Sequence, residues 1–330
     1  MKNNIKIACI SALFAMQFLA SCSDNVDSNA PLPYPPIGTY NTSDDVNADN
    51  LVAKWSFDNS IADTKGGLTG TGKNVAYSEG IKGQAFQGSN TEERYAVYNE
   101  ATAVGSITSF SFSFWMKSGQ TVPDGGAPGQ GKGIQGLFSL VNPAGFWGGL
   151  NLFIENPDGS KPNTLRLKMG IENKRDGVSW GGQGPLFNID GAIDTWIHVV
   201  LTYDAASSRY TVYKNGEKGA NSIYGTPYGP FSDLNGSCIL YGDNPGGPDG
   251  SNANPNSAPL YGALVFGTPN LSKLVIGSNQ FSTTPSLTAT HGDEGWATDY
   301  AGLLDEFRIY KSALSSSEVN ALYKLEKSNR

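Results

Sequence analysis

Cysteine, histidine and positive charge are all scarce in this chain of 330 residues. The three cysteines and two histidines are spaced like neither a zinc site nor a disulfide framework. Cys9 and Cys22 lie near the N-terminus, which leaves Cys238 alone, as is typical of a small buried side chain. Lys and Arg total 23 against 30 Asp and Glu, giving a formal net charge of −7. This balance disfavours nucleic acid and anionic lipid as partners, and it is compatible with cation binding.

Familiar catalytic motifs are missing as well. Gly-x-Ser-x-Gly occurs once, as GVSWG over 177–181, in a glycine-rich stretch without the strand and helix that a nucleophile motif needs around it. His198 lies close to Trp196 in an apolar stretch that is typical of a covered strand, which favours a structural role for the imidazole. The remaining acid–base candidates are carboxylates whose spacing leaves open whether they meet across a cleft: Glu155, Glu172 and Asp176.

Long hydrophobic runs are limited to one, at the N-terminus. Lys2 and Lys6 flank the start of an apolar run over 7–19 that ends at small residues before Cys22. The run is too short to span a bilayer comfortably, and the pattern resembles the signal of bacterial lipoproteins. We therefore predict a signal peptide over 1–21 and an acyl anchor such as palmitate on Cys22. An ordinary cleaved signal or a short membrane span is the alternative.

Prolines and small polar residues follow the predicted anchor. Four prolines between positions 31 and 36 favour extended backbone, and the Asn, Asp and Ser residues around them have nothing to bury. We predict a disordered tether over 22–49 and one folded domain over 50–326. Polar and acidic residues directly after Cys22 resemble the surface-export signal of Bacteroidetes lipoproteins, which implies an outer-membrane lipoprotein exposed at the cell surface.

Alternation with a period of two runs through most of the chain. The stretch Phe110-Phe112-Phe114-Met116 is nearly perfect, and Asn215-Gly216 is a strong signal for a tight hairpin. With 41 Gly, 18 Pro and 11% aromatic residues, many strands joined by turns are expected. The composition therefore predicts an all-β domain with long loops.

The stretch 300–323 predicts how the domain closes. Its strand should turn Leu303 and its alternate neighbours into the core, while Glu306 and Arg308 pair toward solvent. Asp305 then falls on the apolar face, where a carboxylate is costly unless it is hydrogen-bonded or holds a cation. After the strand, Ser315-Ser316-Ser317-Glu318 is a capping box that predicts a short helix docked on the sheet.

This closing stretch, LLDEFRIYKSALSSSEVNALY, resembles the closing motif of bacterial laminin-G-like domains of the concanavalin A-like lectin/glucanase superfamily. LVAKWSFD, SFSFSFWMKS and DTWIHVVLTYD followed by YTVYKNGE agree with that resemblance in order and cover most of 50–325. It implies a two-sheet antiparallel jelly-roll sandwich with a short C-terminal helix, in which the first and last strands are neighbours. The superfamily includes lectins, adhesion modules and glycosidases, so it leaves the function open.

A calcium site is the first functional expectation. If the first and last strands are neighbours, Asp58 and Asp63 of the opening loop converge with Asp305 of the closing strand. Ca²⁺ prefers carboxylate and carbonyl oxygens, and the resemblance implies one structural calcium in this place. The alternative is that Asp58 makes a turn and that Asp305 accepts backbone hydrogen bonds.

An aromatic glycan platform is the second expectation. Trp147 and Trp180 are each flanked by glycines, as is typical of loops, and sugars stack their C–H faces on such rings. Further candidate ligand-binding residues near them or in similar settings are Phe146, Arg175, Asp176 and Tyr241. The alternative is that the rings pack their own loops onto the sheet.

Glycan recognition without catalysis is therefore the expected function. The glucanases of this superfamily carry a Glu-x-Asp-x-x-Glu pattern, which is absent here, and the acidic cluster at 293–299 lacks strand alternation. We expect no catalytic residues and a polysaccharide or glycan ligand. Other glycan-uptake proteins at the cell surface are the further partners we expect, and the lipid anchor alone should contact the membrane. An adhesion or scaffold module that docks a protein is the first alternative, and a glycoside hydrolase is the second.

Overall fold

Strands dominate the computed structural model, which describes residues 34–118, 133–155, 163–174, 180–181, 186–218, 223–224, 236–242, 259–266 and 271–330. Within these ranges, two 3₁₀-helices cover Ser43–Asp45 and Ala48–Asn50, and the helices α1 and α2 cover Thr102–Gly105 and Ser316–Lys327. The strands are β1 Leu51–Trp55, β2 Gly70–Lys73, β3 Tyr77–Glu79, β4 Gln84–Gln87, β5 Tyr95–Tyr98, β6 Phe110–Lys117, β7 Ile134–Leu140, β8 Leu150–Ile154, β9 Thr164–Asn173, β10 Trp180–Gly181, β11 Leu186–Asp190, β12 Ile197–Asp204, β13 Arg209–Lys214, β14 Glu217–Lys218, β15 Ile223–Tyr224, β16 Ser237–Ile239, β17 Leu274–Ile276, β18 Ala297–Asp299 and β19 Leu303–Tyr310.

The strands form two sheets that pack face to face. Sheet A has the order β14-β13-β12-β6-β19-β4-β3, with β1 also on β19 and β16 on β13. Sheet B has the order β15-β11-β9-β8-β7-β17-β5-β2, with β10 on β9 and β18 on β7. The pairs are antiparallel apart from β18, which runs parallel to β7. The predicted all-β, jelly-roll-like sandwich with a short C-terminal helix is confirmed, and β1 does pair with β19.

Side chains of both sheets meet in the core between them. β6 alternates as its sequence predicts, and its core-facing side chains are fully buried: Phe110, Phe112, Phe114 and Met116. Across the core, the ring centroid of Phe112 lies 4.9 Å from that of Phe138 in β7. Phe307 of β19 stacks on Phe138 with 5.9 Å between centroids. Because burying one large apolar side chain stabilises a fold by about 1.5–3 kcal/mol, these rings hold the two sheets together.

The last strand, β19, contains a bulge that shifts its alternation. Its register against β6 changes between Asp305 and Arg308, and Glu306 has a φ of +46°. As a result Leu304 enters the core, whereas Leu303 is only half-buried. The predicted placement of Leu303 in the core is wrong, because an extra residue in one strand exchanges its two faces.

Glu306 and Arg308 form the predicted ion pair, but the pair is buried. Arg308 Nη1 lies 2.7 Å from Glu306 Oε2 and also contacts Glu326 of α2, while Arg308 Nη2 lies 2.9 Å from Asp44. The guanidinium is fully buried. Burial raises the pKa of Glu326 to about 7, against the opposing effect of Arg308. The expectation that the pair faces solvent is wrong, because α2 covers this part of β19.

Helix α2 begins where the sequence predicts. The Ser315 hydroxyl accepts the N–H of Glu318 at 3.3 Å, and the Glu318 carboxylate accepts the N–H of Ser315 at 2.7 Å. Val319 and Leu322 then pack against Val200 of β12 in a cluster of buried apolar side chains. The capping box and the docking of the helix on sheet A are therefore confirmed.

The folded unit Pro36–Arg330 begins earlier than the predicted boundary at residue 50. Val46 is fully buried in the apolar cluster beneath α2, and Asp44 contacts Arg308 through its carboxylate. Residues 36–49 therefore belong to the domain, and their assignment to a disordered tether is wrong. Their polar composition does not show that Asp44, itself exposed, contacts the buried Arg308 from the surface.

Candidate functional site

Sheet B carries polar and aromatic side chains on its outer face at β8 and β9. Alternate side chains of β8 enter the core, so Asn151 and Phe153 lie on the other face of the strand. Lys168 of β9 shares this face, because its ammonium group lies 5.8 Å from the centroid of the Phe153 ring. The same ammonium group lies 3.1 Å from the carboxylate of Glu155. Burial lowers the pKa of Lys168, while Glu155 opposes the shift.

An aromatic cluster lies on this face, formed by Phe146, Trp147, Phe153, Phe281 and Trp296. Trp147 stacks on Phe153 with 4.9 Å between ring centroids and an interplanar angle of 8°. Phe146 stacks on Phe281 at 4.5 Å, and Trp296 lies 5.9 Å from Phe146. Phe153 and Phe281 are buried, whereas the other three rings are half-buried. The half-buried rings therefore present apolar surface that their neighbours hold in place.

A pocket of about 160 Å³ opens beside this cluster. Phe146 and Trp147 form its aromatic side, and Asn142, Asn151 and Glu172 contribute its polar groups. Asn142 Nδ2 donates a hydrogen bond of 2.7 Å to Glu172 Oε2, which orients both side chains. The pocket thus combines flat apolar surfaces with a small number of amide and carboxylate groups, the composition that is typical of small-molecule sites.

Gln280 fixes the loop that carries the two pocket aromatics. Its Oε1 accepts the N–H of Asn142 at 2.8 Å, and its Nε2 donates to the carbonyl oxygens of Asn142, Gly145 and Phe146 at 3.0, 2.9 and 3.1 Å. Gln280 is almost fully buried. One amide therefore holds the loop over 142–146 in a single shape before any ligand arrives.

A glycine in β9 makes room for the pocket amide of Asn151. Asn151 and Gly170 are directly opposite each other in the β8–β9 pair. A Cβ atom at Gly170 would lie 2.0 Å from Asn151 Oδ1. The position of the Asn151 side chain therefore depends on the absence of a side chain at 170.

The predicted ligand-binding aromatics are partly brought together. Phe146 and Trp147 meet with 4.9 Å between ring centroids and share the pocket. Both rings also pack against the protein, Phe146 on Phe281 and Trp147 on Phe153 of β8, so the alternative interpretation is correct for these contacts. The backbone of Trp180, in β10, lies opposite Asn173, one residue beyond Glu172 in β9.

The other predicted ligand residues do not join the cluster. Tyr241 follows β16 of sheet A and bridges to Leu260, and no contact between it and the aromatic cluster occurs among the described residues. Arg175 and Asp176 lie outside the described residues. Trp296 is a member that the sequence interpretation missed, although Gly295 directly before it is a weaker form of the glycine signal at Trp147.

The three carboxylates predicted to bind calcium are each engaged by backbone amides. Asp63 Oδ1 accepts the N–H groups of Lys54, Lys65 and Gly66, each at 2.9 Å. Asp58 and Asp305 do converge on one turn, because Asp58 accepts the N–H of Gln84 at 2.8 Å and Asp305 accepts those of residues 81 and 82 at 2.8 and 3.0 Å.

These contacts do not make a calcium cage. The groups that face Asp305 are N–H donors, whereas Ca²⁺ requires oxygen ligands. Burial raises the pKa of Asp305 to about 8, against the effect of its amide donors. In the part of the chain that the structure describes, no three His, Cys, Asp or Glu side chains are grouped to hold a metal. The donor set therefore fits the alternative of a hydrogen-bonded turn, and Ca²⁺ binding stays a prediction.

Glu155 and Glu172 are too far apart to act as a catalytic pair. The N–H of Glu155 bonds to the carbonyl of Arg166, so Glu172 lies six residues farther along β9. At about 3.3 Å per residue the separation is about 20 Å. Glycosidase carboxylates are about 5–9.5 Å apart. These two residues therefore do not supply the acid and base of glycoside hydrolysis.

Comparisons with known proteins return solved structures and nothing else: no protein-family model and no curated protein matches the chain. Domain 4 of AbnA, a GH43 extracellular arabinanase from Geobacillus stearothermophilus in complex with arabinotriose, aligns with a TM-score of 0.41 and 18% identity over 83% of this chain and 98% of that one. The binding domain of botulinum neurotoxin serotype C1 aligns with a TM-score of 0.48 and 15% identity over 84% of this chain and 52% of that one.

The binding domain of Paraclostridial Mosquitocidal Protein 1 gives a similar result, with a TM-score of 0.48 and 15% identity over 83% of this chain and 52% of that one. The chain thus spans about half the length of the two toxin domains. At these scores the alignments establish no family, and the function has to be inferred from the pocket and the residues around it.

Proposed function

We propose that the chain is a glycan-binding module that recognises its ligand without processing it. The observation that carries the proposal is the pocket in which half-buried Phe146 and Trp147 face Asn142, Asn151 and Glu172. A sugar ring has apolar C–H faces and a rim of hydroxyl groups. The aromatic rings suit the faces, and the amides and the carboxylate suit the hydroxyls.

Preorganisation supports this reading of the pocket. The Asn142–Glu172 hydrogen bond and the four contacts of Gln280 order the polar groups and the aromatic loop in advance. Binding then costs little additional ordering of side chains, which is one of the costs that reduce affinity.

A polysaccharide affinity-gel screen with the full chain tests the proposal. We expect retardation by at least one polysaccharide, and weaker retardation for Trp147→Ala. Trp196→Ala is the matched control, because Trp196 is also half-buried but precedes β12 in sheet A. Arabino-oligosaccharides and sialylated glycans belong in the panel for breadth. Silence across a broad panel, from a chain shown to be folded, would overturn the proposal and leave protein docking as the function to test.

We also propose that the chain is anchored by lipid on Cys22 at the outer surface of the outer membrane. The support is the pattern of residues 1–25, which lie outside the described part of the structure. No described helix is long and apolar enough to cross a membrane. Metabolic labelling with a fatty acid should mark the wild-type chain and not Cys22→Ser, whereas equal labelling of both would contradict the proposal.

A further inference from the structure

The side-chain amide of Asn151 lies in the pocket without a hydrogen-bond partner. Asn151 faces away from the core, lines the pocket and is 2% exposed. Its amide makes no hydrogen bond with any residue that the structure describes, yet its atoms are not sealed from solvent as the two amide atoms of Asn279 are. A buried polar group without a partner costs free energy. A ligand in the pocket would supply the hydrogen-bond donor and acceptor that this amide lacks.

The carboxylate of Glu172 is fixed in the same pocket by two neighbours. Its Oε2 accepts a hydrogen bond from Asn142 Nδ2 at 2.7 Å, and its Oε1 lies 3.2 Å from the ammonium group of Lys174. The Lys174 side chain is exposed and is not part of the pocket wall. Because a carboxylate oxygen can accept more than one hydrogen bond, Glu172 can still accept a hydroxyl group of a ligand.

The described wall of the pocket carries negative charge and no positive charge. Glu172 is its charged residue, beside the amides of Asn142 and Asn151 and the rings of Phe146 and Trp147. An acidic sugar would bring its carboxylate out of water and toward Glu172, with no Lys, Arg or His in this wall to pair with it. Burying a charge without a partner is costly, and placing like charges together disfavours the wrong ligand.

We propose that this pocket selects neutral sugar residues and rejects acidic ones such as uronic acids. The inference rests on the proposed glycan-binding function and names the class of sugar that the site takes. Glu172 accepts a hydroxyl group of a neutral sugar and repels a carboxylate, while Asn151 pairs with a second hydroxyl group. Asn142 is a positioning residue, because its amide is occupied by Glu172 and by the N–H of Ala144.

Calorimetric titration of the full chain with matched pairs of oligosaccharides tests the inference. The probes are gluco-, manno- and galacto-oligosaccharides, each used in its neutral form and after oxidation of its primary hydroxyl groups to carboxylates. The two members of a pair share their rings and linkages and differ in charge. We expect at least one neutral member to bind, and its oxidised partner to bind at least about tenfold more weakly, which corresponds to about 1.4 kcal/mol.

Glu172→Gln tests whether this carboxylate sets the discrimination. Gln keeps an oxygen that accepts from Asn142 and removes the negative charge. We expect the Kd of the oxidised member divided by that of the neutral member to fall to about three or less. Glu155→Gln is the matched control, because Glu155 also lies near a lysine, at 3.1 Å, and has the same side-chain exposure of 17%, but does not line the pocket. Its ratio should equal that of the wild type.

Asn151→Ala tests the unpaired amide. Because no described residue bonds to that amide, we expect the variant to keep the melting temperature of the wild type. The Kd of the neutral member should rise about fivefold, as for the loss of about 1 kcal/mol from one hydrogen bond. A purely structural role for Asn151 would instead lower the melting temperature and leave the Kd unchanged.

Three results would overturn the inference while leaving glycan binding in place. They are equal or tighter binding of the oxidised member by the wild type, an unchanged ratio in Glu172→Gln, and an unchanged Kd in Asn151→Ala. Binding of neither member of any pair would also overturn the inference, and it would overturn the proposed function only if the gel screen were silent as well.

Discussion

Replacing Arg308 with Met should destabilise the domain more than any change at the surface. The guanidinium is fully buried between the carboxylates of Glu306 and Glu326, and those two side chains are themselves at most 1% exposed. Met fills a similar volume but takes the guanidinium away from Glu326 and leaves Glu306 with Lys54 alone, at 3.6 Å. The α2 helix is attached to sheet A through this network, so the substitution should weaken the packing of α2 on the sheet.

The expected magnitude follows from the cost of an unpaired buried charge. Removing one partner of a buried ion pair costs about 3–5 kcal/mol. An unfolding entropy of about 2.1 cal/mol/K per residue gives about 0.6 kcal/mol/K for a domain of about 300 residues. The melting temperature should therefore fall by about 5–8 °C. Without Arg308 the folded-state pKa of Glu326, already raised by burial to about 7, should rise further. A raised folded-state pKa means stability that is lost as pH rises, so the deficit should be larger at pH 8 than at pH 5.

Thermal and denaturant unfolding at both pH values measures this effect. The double variant Arg308→Met/Glu326→Gln should be more stable than the sum of the single changes predicts, because it leaves one fewer buried charge. Lys324→Met, at an exposed position of the same helix, is the control and should change stability by less than about 0.5 kcal/mol. A loss below about 1 kcal/mol for Arg308→Met, or a loss that is the same at both pH values, would refute the account of this network.

Three further predictions concern the pocket, the buried Asp299 and calcium. Gly170→Ala should weaken glycan binding, because the new Cβ would lie 2.0 Å from Asn151 Oδ1 and displace that side chain. The melting temperature should stay within about 2 °C, because a flexible side chain can move. Unchanged binding would contradict the role given to Asn151. Burial raises the pKa of Asp299 to about 6 in the folded state, above its unfolded value, so this group stabilises the fold at low pH and that contribution is lost as pH rises from about 4 to about 6. Asp299→Asn should therefore reduce the slope of the unfolding free energy against pH in that window, by at most about 1.4 kcal/mol per pH unit. An unaltered profile would contradict the raised pKa of Asp299. Chelation with EDTA should not lower the melting temperature, because backbone N–H groups already donate to the Asp305 carboxylate. A fall in melting temperature that added Ca²⁺ reverses would support the predicted calcium site instead.

Features that depend on neighbours in sequence were predictable. The alternation of β6, the capping box of α2 and the tight hairpin between β13 and β14 all appear as expected. In the hairpin, Asn215 and Gly216 have φ values of +52° and +83°, the left-handed conformations that this residue pair favours. Such elements are set by backbone preferences and by local side-chain hydrogen bonds, which a sequence displays directly.

Features that depend on contacts distant in sequence were not predictable. The bulge at Glu306 exchanges the two faces of β19, and no residue type in that strand announces it. By composition the segment over 36–49 is typical of a tether, yet Asp44 contacts Arg308, which lies 264 positions away in the chain. Both features depend on partners that lie far away in the sequence, which a local pattern does not show.

Part of the candidate site was predictable from the sequence. Glycine-flanked Trp147 gave the signal that led to the pocket, whereas Trp296, which follows Gly295 directly, was not considered. The acidic residues Asp293 and Asp299 line a separate cavity of about 190 Å³. The sequence could not show that the single loop over 278–299 contributes both to the aromatic cluster and to this cavity.

The central claim is that the pocket beside the aromatic cluster binds a glycan, and calorimetric titration of one polysaccharide or oligosaccharide retained in the gel screen tests it most directly. We predict that Trp147→Ala raises the Kd by about 2- to 12-fold, as expected for the loss of about 0.5–1.5 kcal/mol of ring stacking, while Trp196→Ala binds like the wild type. Equal affinities for wild type and Trp147→Ala, with both chains folded, would contradict the account and place the glycan elsewhere on the molecule.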